Sequence, residues 1–115
     1  MGTVVEYKDL VAFHPGYYLK EIMDEKNLTS ITLAKKLSVR GVSRYSIDRL
    51  INGNKSLTPI TIKALADFTG ISEQTWLNLQ NAYDEKIVEI ENAKKEDSLE
   101  WLKKNKSIYS TQPTD

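Results

Sequence analysis

The sequence predicts an all-α fold, a compact bundle of five or six helices. Three observations support this. Apolar residues recur at helical spacing from Tyr17 almost to the end of the chain. Capping and breaking residues cut that pattern into short lengths joined by about two to six residues, as in helical bundles. A chain of 115 residues is long enough to bury one core without covalent staples.

Taken in order, the N-terminal "TVVEYKDLVAF" alternates and is β-branched, which suits a short strand or an irregular arm alike. "YYLKEIMDEK" (17–26) puts Leu19, Ile22 and Met23 on one helical face with charges opposite. "TSITLAKKL" follows, with Thr29 or Ser30 as N-cap and Leu33, Ala34 and Leu37 inward. Ser43 caps the next helix, which turns Ile47, Leu50 and Ile51 inward and stops at Asn52-Gly53. Thr58, Pro59 and Gly70 punctuate a fourth helix whose inner stripe is Ile62, Leu65 and Ala66, widened by Phe68. Ser72 caps a long segment carrying Trp76, Leu79, Gln80, Tyr83, Ile87 and Ile90 on one stripe. A last short helix is expected around Leu99, Trp101 and Leu102, and residues 107–115 read as a frayed tail. This gives an arm at 1–13, a helical domain at 14–95 and a short C-terminal segment at 96–115.

Composition excludes several kinds of chemistry. The chain has no cysteine and a single histidine, His14. Disulfides, thiolate metal sites and cysteine nucleophiles therefore drop out, as do triads or metal sites needing more than one histidine. His14-Pro15-Gly16 reads as a capping or packing group rather than a ligand or catalyst. There is no glycine-rich phosphate loop and no nucleophile beside an evident base, so no enzyme, metal or cofactor is expected. No apolar run approaches the ~20 residues of a membrane helix. The first residues have acids where a secretory signal would be apolar, and Glu6 breaks a myristoylation pattern. The expectation is a cytoplasmic protein without a membrane partner.

Net charge is zero, yet its distribution is bipolar. Between Lys35 and Lys55 six bases (Lys35, Lys36, Arg40, Arg44, Arg49, Lys55) face one acid, Asp48, a net of +5. From Asp84 to Glu100 seven acids face three lysines, a net of −4. The positive stretch centres on "GVSRYSIDRLINGN" (41–54), where Arg44 and Tyr45 follow the Ser43 cap and Arg49 faces out with Asp48. A helix N-terminus attracts phosphate, and arginine is shaped to read guanine in the major groove. With "TSITLAKKL" before it, this segment completes a helix-turn-helix, whose second helix would enter the groove. Thr29, Ser30 and Thr32 would then lie near phosphates, as would Asn54 and Lys55.

"HPGYYLKEIM" (14–23), "LAKKL" (33–37), "GVSRYSIDRLINGN" (41–54), "SLTPITIKALADFTGIS" (56–72) and "WLNLQNAYD" (76–84) occur in that order. Together they resemble the HigA-type antitoxins, the virulence-associated protein I family, within the phage-repressor-like helix-turn-helix class. The resemblance covers roughly residues 13–90. It implies an antitoxin of a type II toxin–antitoxin system, a homodimer that represses its own operon by binding operator DNA and neutralises a RelE/HigB-like mRNA-cleaving toxin. The implied base readers are Arg44, Tyr45 and Arg49. Ser30, Thr32, Ser43, Ser46, Asn54 and Lys55 would position the DNA backbone. "LSVRGVSR" departs from the family by about three extra residues in the turn, with Ser38 where glycine is usual. Either the turn bulges and leaves the recognition helix in place, or that helix sits differently; Arg40 would add a phosphate contact from the longer turn.

Trp76, Leu79 and Tyr83 read as core, with part of their stripe available to a homodimer seam. Gln80 and Asn81, which core packing does not explain, read as interface polar groups. The acidic 84–100 stretch is a solvated helix face or a seat for a basic toxin, and the N-terminal arm is the rival toxin contact through strand addition. Two alternatives stand beside the antitoxin: a solitary phage-type repressor without a toxin, and a protein-binding module whose longer turn has cost it DNA recognition.

Overall fold

The computed structural model describes residues 2–105, and the expected frayed tail lies outside them. The chain runs β1 (Val4–Tyr7), β2 (Leu10–Phe13), α1 (Pro15–Glu25), α2 (Ser30–Leu37), a 3-10 turn (Ser38–Arg40), α3 (Arg44–Ile51), α4 (Pro59–Thr69) and α5 (Glu73–Lys104). Five α-helices and one hairpin thus make up the described chain.

The helix starts follow local chemistry. Of the two residues proposed to cap α2, Thr29 does so, its hydroxyl accepting the Thr32 N–H at 3.1 Å. Ser43, Thr58 and Ser72 cap α3, α4 and α5 in the same way. His14 caps α1: its Nδ1 accepts the Gly16 N–H at 2.8 Å, and Pro15 takes the first helical position. Gly16 is needed for a different reason. A Cβ there would lie 1.8 Å from the Leu50 carbonyl oxygen, so the N-terminus of α1 crosses α3 at backbone contact. Asn27 ends α1 in the left-handed region at φ 56°, a conformation that asparagine tolerates better than most residues.

These helices close over one core. Leu19 and Met23 from α1, Leu33 and Leu37 from α2, Ile47 and Leu50 from α3, Leu65 from α4 and Trp76 from α5 are all essentially inaccessible to water. Ile22, Ala34, Ile51, Ala66, Phe68 and Leu79 pack around them, half-buried. Burying each large aliphatic side chain contributes about 1.5–3 kcal/mol. α2 and α3 share this core, and this fixes the face that α3 leaves outside.

The N-terminal arm forms an antiparallel hairpin, with Val4 opposite Phe13 and Tyr7 opposite Leu10. It lies along α5, and Ala12 and Ile90 are buried outside the main cluster. At its tip the Tyr7 hydroxyl donates to Asp97, and Lys8 Nζ sits 2.7 Å from the same carboxylate. The long segment and the separate last helix expected from sequence are one continuous α5 of 32 residues. That helix is about 48 Å long at 1.5 Å per residue. It draws the molecule out to 67 × 24 × 24 Å.

Gln80 requires a correction. It is buried rather than available to a partner: its Oε1 accepts the Leu57 N–H at 2.7 Å and its Nε2 donates to Asp84 at 3.0 Å. It ties the loop before α4 to α5. Asn81, its neighbour, is exposed.

Candidate nucleic-acid interface

α3 presents its site because its sequence commits only one face to the core. Ile47 and Leu50 are fully buried, which leaves Arg44, Tyr45, Asp48 and Arg49 on the outer face of a two-turn helix. The Ser43 hydroxyl accepts the Ser46 N–H at 3.1 Å, and the remaining N–H groups of the first turn stay open at the positive end of the helix.

Around that face the polar side chains hold one another. The Arg49 guanidinium donates to the Tyr45 hydroxyl at 3.2 Å and lies 5.5 Å from the centre of its ring. Its other terminal nitrogen donates to the Asn54 carbonyl at 2.9 Å. Lys55 reaches back to the Ser46 hydroxyl at 3.2 Å. Arg44 faces Asp48 at 3.5 Å, one turn along the helix. The Arg44–Asp48 pair is exposed, so it is worth about 0–1 kcal/mol and exchanges readily for another anion. Tyr45, 68% exposed, is held out in solvent by its arginine rather than by burial.

The structure therefore brings Ser43, Arg44, Tyr45, Ser46, Arg49, Asn54 and Lys55 together on and just beyond α3. Ser30 and Thr32 sit apart from them at the N-terminus of α2, where the Thr29 and Thr32 hydroxyls are 3.0 Å from each other. Thr29 belongs with that pair as the capping residue. Arg40 is placed differently from the rest: it turns to α4 and pairs with Asp67.

The turn between α2 and α3 winds through the 3-10 turn at Ser38–Arg40, and Gly41 closes it at φ 85°, the left-handed region that favours glycine. Leu37 before the turn and Val42 after it are both buried, while Val39 between them is 88% exposed. Val39 thus projects outward, and α2 and α3 pack on each other.

Sequence reasoning missed two features here. The Tyr45–Arg49 contact was readable, since residues four apart share a helix face. That the carbonyl of Asn54, rather than its side chain, aims Arg49 depends on how the chain leaves α3 and has no local signal. Among the described residues no three His, Asp or Glu side chains gather as metal ligands, and no helix is long and apolar enough to cross a membrane.

The helix-turn-helix family model matches residues 19–76, from α1 into the first turn of α5. Virulence-associated protein I of Dichelobacter nodosus is 34% identical over 82 residues, spanning 70% of this chain and 73% of that protein. Among solved structures, an addiction module antidote protein of the HigA family from Coxiella burnetii superposes with a TM-score of 0.64 at 33% identity, covering 75% of this chain and 91% of that one. Antitoxin HigA of Pseudomonas aeruginosa, solved with the higBA promoter, gives a TM-score of 0.65 at 25% identity over 72% of this chain and 88% of its own. With the helix pair, its caps and the outer face of α3 in place, the chain belongs to the HigA-type helix-turn-helix antitoxin family, that of virulence-associated protein I.

Proposed function

We propose that this chain is the antitoxin of a type II toxin–antitoxin system, which represses its own operon by binding operator DNA and neutralises a RelE/HigB-like mRNA-cleaving toxin in the cytoplasm. The observation that carries the DNA half is the outer face of α3, where Arg44 and Tyr45 follow the capped N-terminus, Arg49 stands one turn on beside Tyr45, and the Asn54 carbonyl holds Arg49 in place. The P. aeruginosa antitoxin solved with its promoter supports the same use of the same fold.

The action follows from the geometry. α3 enters the major groove N-terminus first. Arg44 exchanges Asp48 for a base edge or phosphate, and Arg49, already stacked on Tyr45, offers its fork to a guanine without first losing rotamer freedom. Ser30 and Thr32 at the start of α2, with Ser43, Ser46, Asn54 and Lys55 around α3, take phosphates and set the register. Arg40 joins them only by giving up Asp67. A homodimer places two such helices about 34 Å apart, one turn of DNA. No step needs a cofactor or a chemical change in the DNA. The toxin contact lies outside the helix pair, on the acidic length of α5 or, as its rival, on the N-terminal hairpin, and the two elements meet at Asp97.

The test titrates the chain against duplex DNA from just upstream of its gene, with a scrambled duplex as control, at two salt concentrations. Arg44→Ala/Arg49→Ala is expected to abolish the specific complex, each lost base contact costing about 1–3 kcal/mol. Binding that ignores both sequence and substitution is phosphate attraction alone and overturns the groove reading. Full retention of regulation in the double variant leaves the protein-binding module instead. A chain that represses its operon but captures no protein encoded beside it is the solitary repressor.

A further inference from the structure

Between α1 and the start of α5 runs an open groove of about 720 Å³. Its floor is apolar, with Ile22 and Leu79 half-buried on either side of Trp76. Its rim on α1 is acidic: Glu21, Asp24 and Glu25. Lys20 pairs with Asp24 at 2.8 Å, whereas Glu21 and Glu25 have no ion-pair or hydrogen-bond partner among the described residues.

An indole underlies the floor of the same groove. Trp76 is wholly buried, and its indole N–H has no acceptor among the described residues. The groove also continues past Tyr18 and Leu79 to the base of the hairpin, where Phe13 is 41% exposed. Acid rim, apolar floor and aromatic margin thus form one surface, and it lies outside the face that α3 offers to DNA.

We infer that this groove docks a basic polypeptide segment of the chain's protein partner, which seats an apolar side chain over the floor and sets a lysine or arginine against Glu21 and Glu25. The inference rests on the antitoxin reading for the partner's identity. Charge decides the class of occupant: a nucleic acid is repelled by this rim, and a second acidic helix of the same kind would be too. An RNA-cleaving toxin must itself carry a positive surface, and that surface is complementary to the groove.

The test co-expresses the chain with the small protein encoded beside it in its operon and measures their affinity. Glu21→Lys/Glu25→Lys is expected to weaken the complex roughly tenfold or more, since like charges placed across an interface repel strongly. Glu21→Gln/Glu25→Gln should fall between this variant and wild type, and both should bind operator DNA as wild type does, which also reports that they fold. In the ¹⁵N-labelled chain, the Trp76 indole resonance, assigned with Trp101→Phe, should shift on adding the unlabelled partner. Equal affinity for wild type and charge-reversed chain, or an unmoved Trp76 resonance, overturns the groove and leaves the antitoxin reading standing. A wild-type chain that binds no such protein overturns both. A change in the sedimenting mass of the free chain on charge reversal assigns the groove to a second copy and likewise overturns the inference.

Discussion

His14 joins three parts of the molecule through one ring. Nδ1 accepts the Gly16 N–H at the start of α1, Nε2 donates to the Lys55 carbonyl at 2.8 Å, and the ring meets Tyr83 of α5 edge-on at 4.9 Å. Accepting at Nδ1 while donating from Nε2 requires the neutral imidazole. Burial lowers its pKa below the ordinary 6.5, against the opposing pulls of the Lys55 carbonyl and Asp84. The sign follows: the folded state disfavours the proton that the unfolded chain takes up. The stability His14 contributes is therefore complete above about pH 6.5 and is lost as pH falls through the lowered folded value. Urea denaturation of wild type and His14→Asn at pH 7.5 and pH 5.5 checks this, because asparagine can cap α1 but does not titrate. Wild type should lose more stability than the variant on acidification; parallel losses would show that the ring does not carry the dependence. Lys55 gives its carbonyl to His14 and its ammonium to Ser46, so the same ring steadies the edge of the α3 site.

At the scale of elements, the crossing of α1 over α3 sets where the outer face of α3 stands, and Gly16 sets the crossing. Gly16→Ala should destabilise the fold by about 2 kcal/mol or more, measured by urea denaturation, because the methyl group meets the rigid Leu50 carbonyl rather than a movable side chain. An alanine variant as stable as wild type would mean that the two helices separate at little cost. This contact also marks the limit of what the sequence shows. Caps and stops were legible because they are local: Ser43, Thr58-Pro59, Gly70 and Ser72 act on the residues beside them. The outward set Arg44, Tyr45 and Arg49 was legible for the same reason, since Ile47 and Leu50 fix the helix face by spacing alone. What could not be read depends on distant partners. Each strand of the hairpin has only four residues, and Lys8-Asp9 between them lacks the glycine that usually announces such a turn. The hairpin's support is α5, far along the chain. Arg40 looked like a spare cation until α4 supplied Asp67, and Gln80 looked like an interface residue until the loop before α4 supplied an N–H.

The whole molecule divides its charge along the chain, positive over residues 35–55 and negative over 84–100, and neutral in sum. The distal end of α5 belongs to the negative half, and its sequence explains why it looked like a separate segment: beyond Ile90 the exposed polar residues dominate and no buried apolar residue continues the stripe. What steadies that length instead is the hairpin tip, through Tyr7 and Lys8 on Asp97, with the Lys94 ammonium 5.5 Å from the centre of the Tyr7 ring. These contacts lie at the surface and contribute little to global stability, since solvent screens exposed ion pairs. Their effect is local, because the amides of a projecting helix exchange by fraying from its end, independently of the core. Tyr7→Ala/Lys8→Ala should therefore leave the main thermal transition within about 2 °C of wild type. Hydrogen exchange of the amides at 94–104 should accelerate by roughly tenfold as the distal turns lose that local support. Exchange at Ile47 and Leu50, deep in the core, should not change. If the distal amides exchange at the wild-type rate, α5 is self-supporting and the hairpin is only a passenger on it. If the core amides accelerate with them, hairpin and bundle unfold as one unit, and the arm is part of the domain that carries α3.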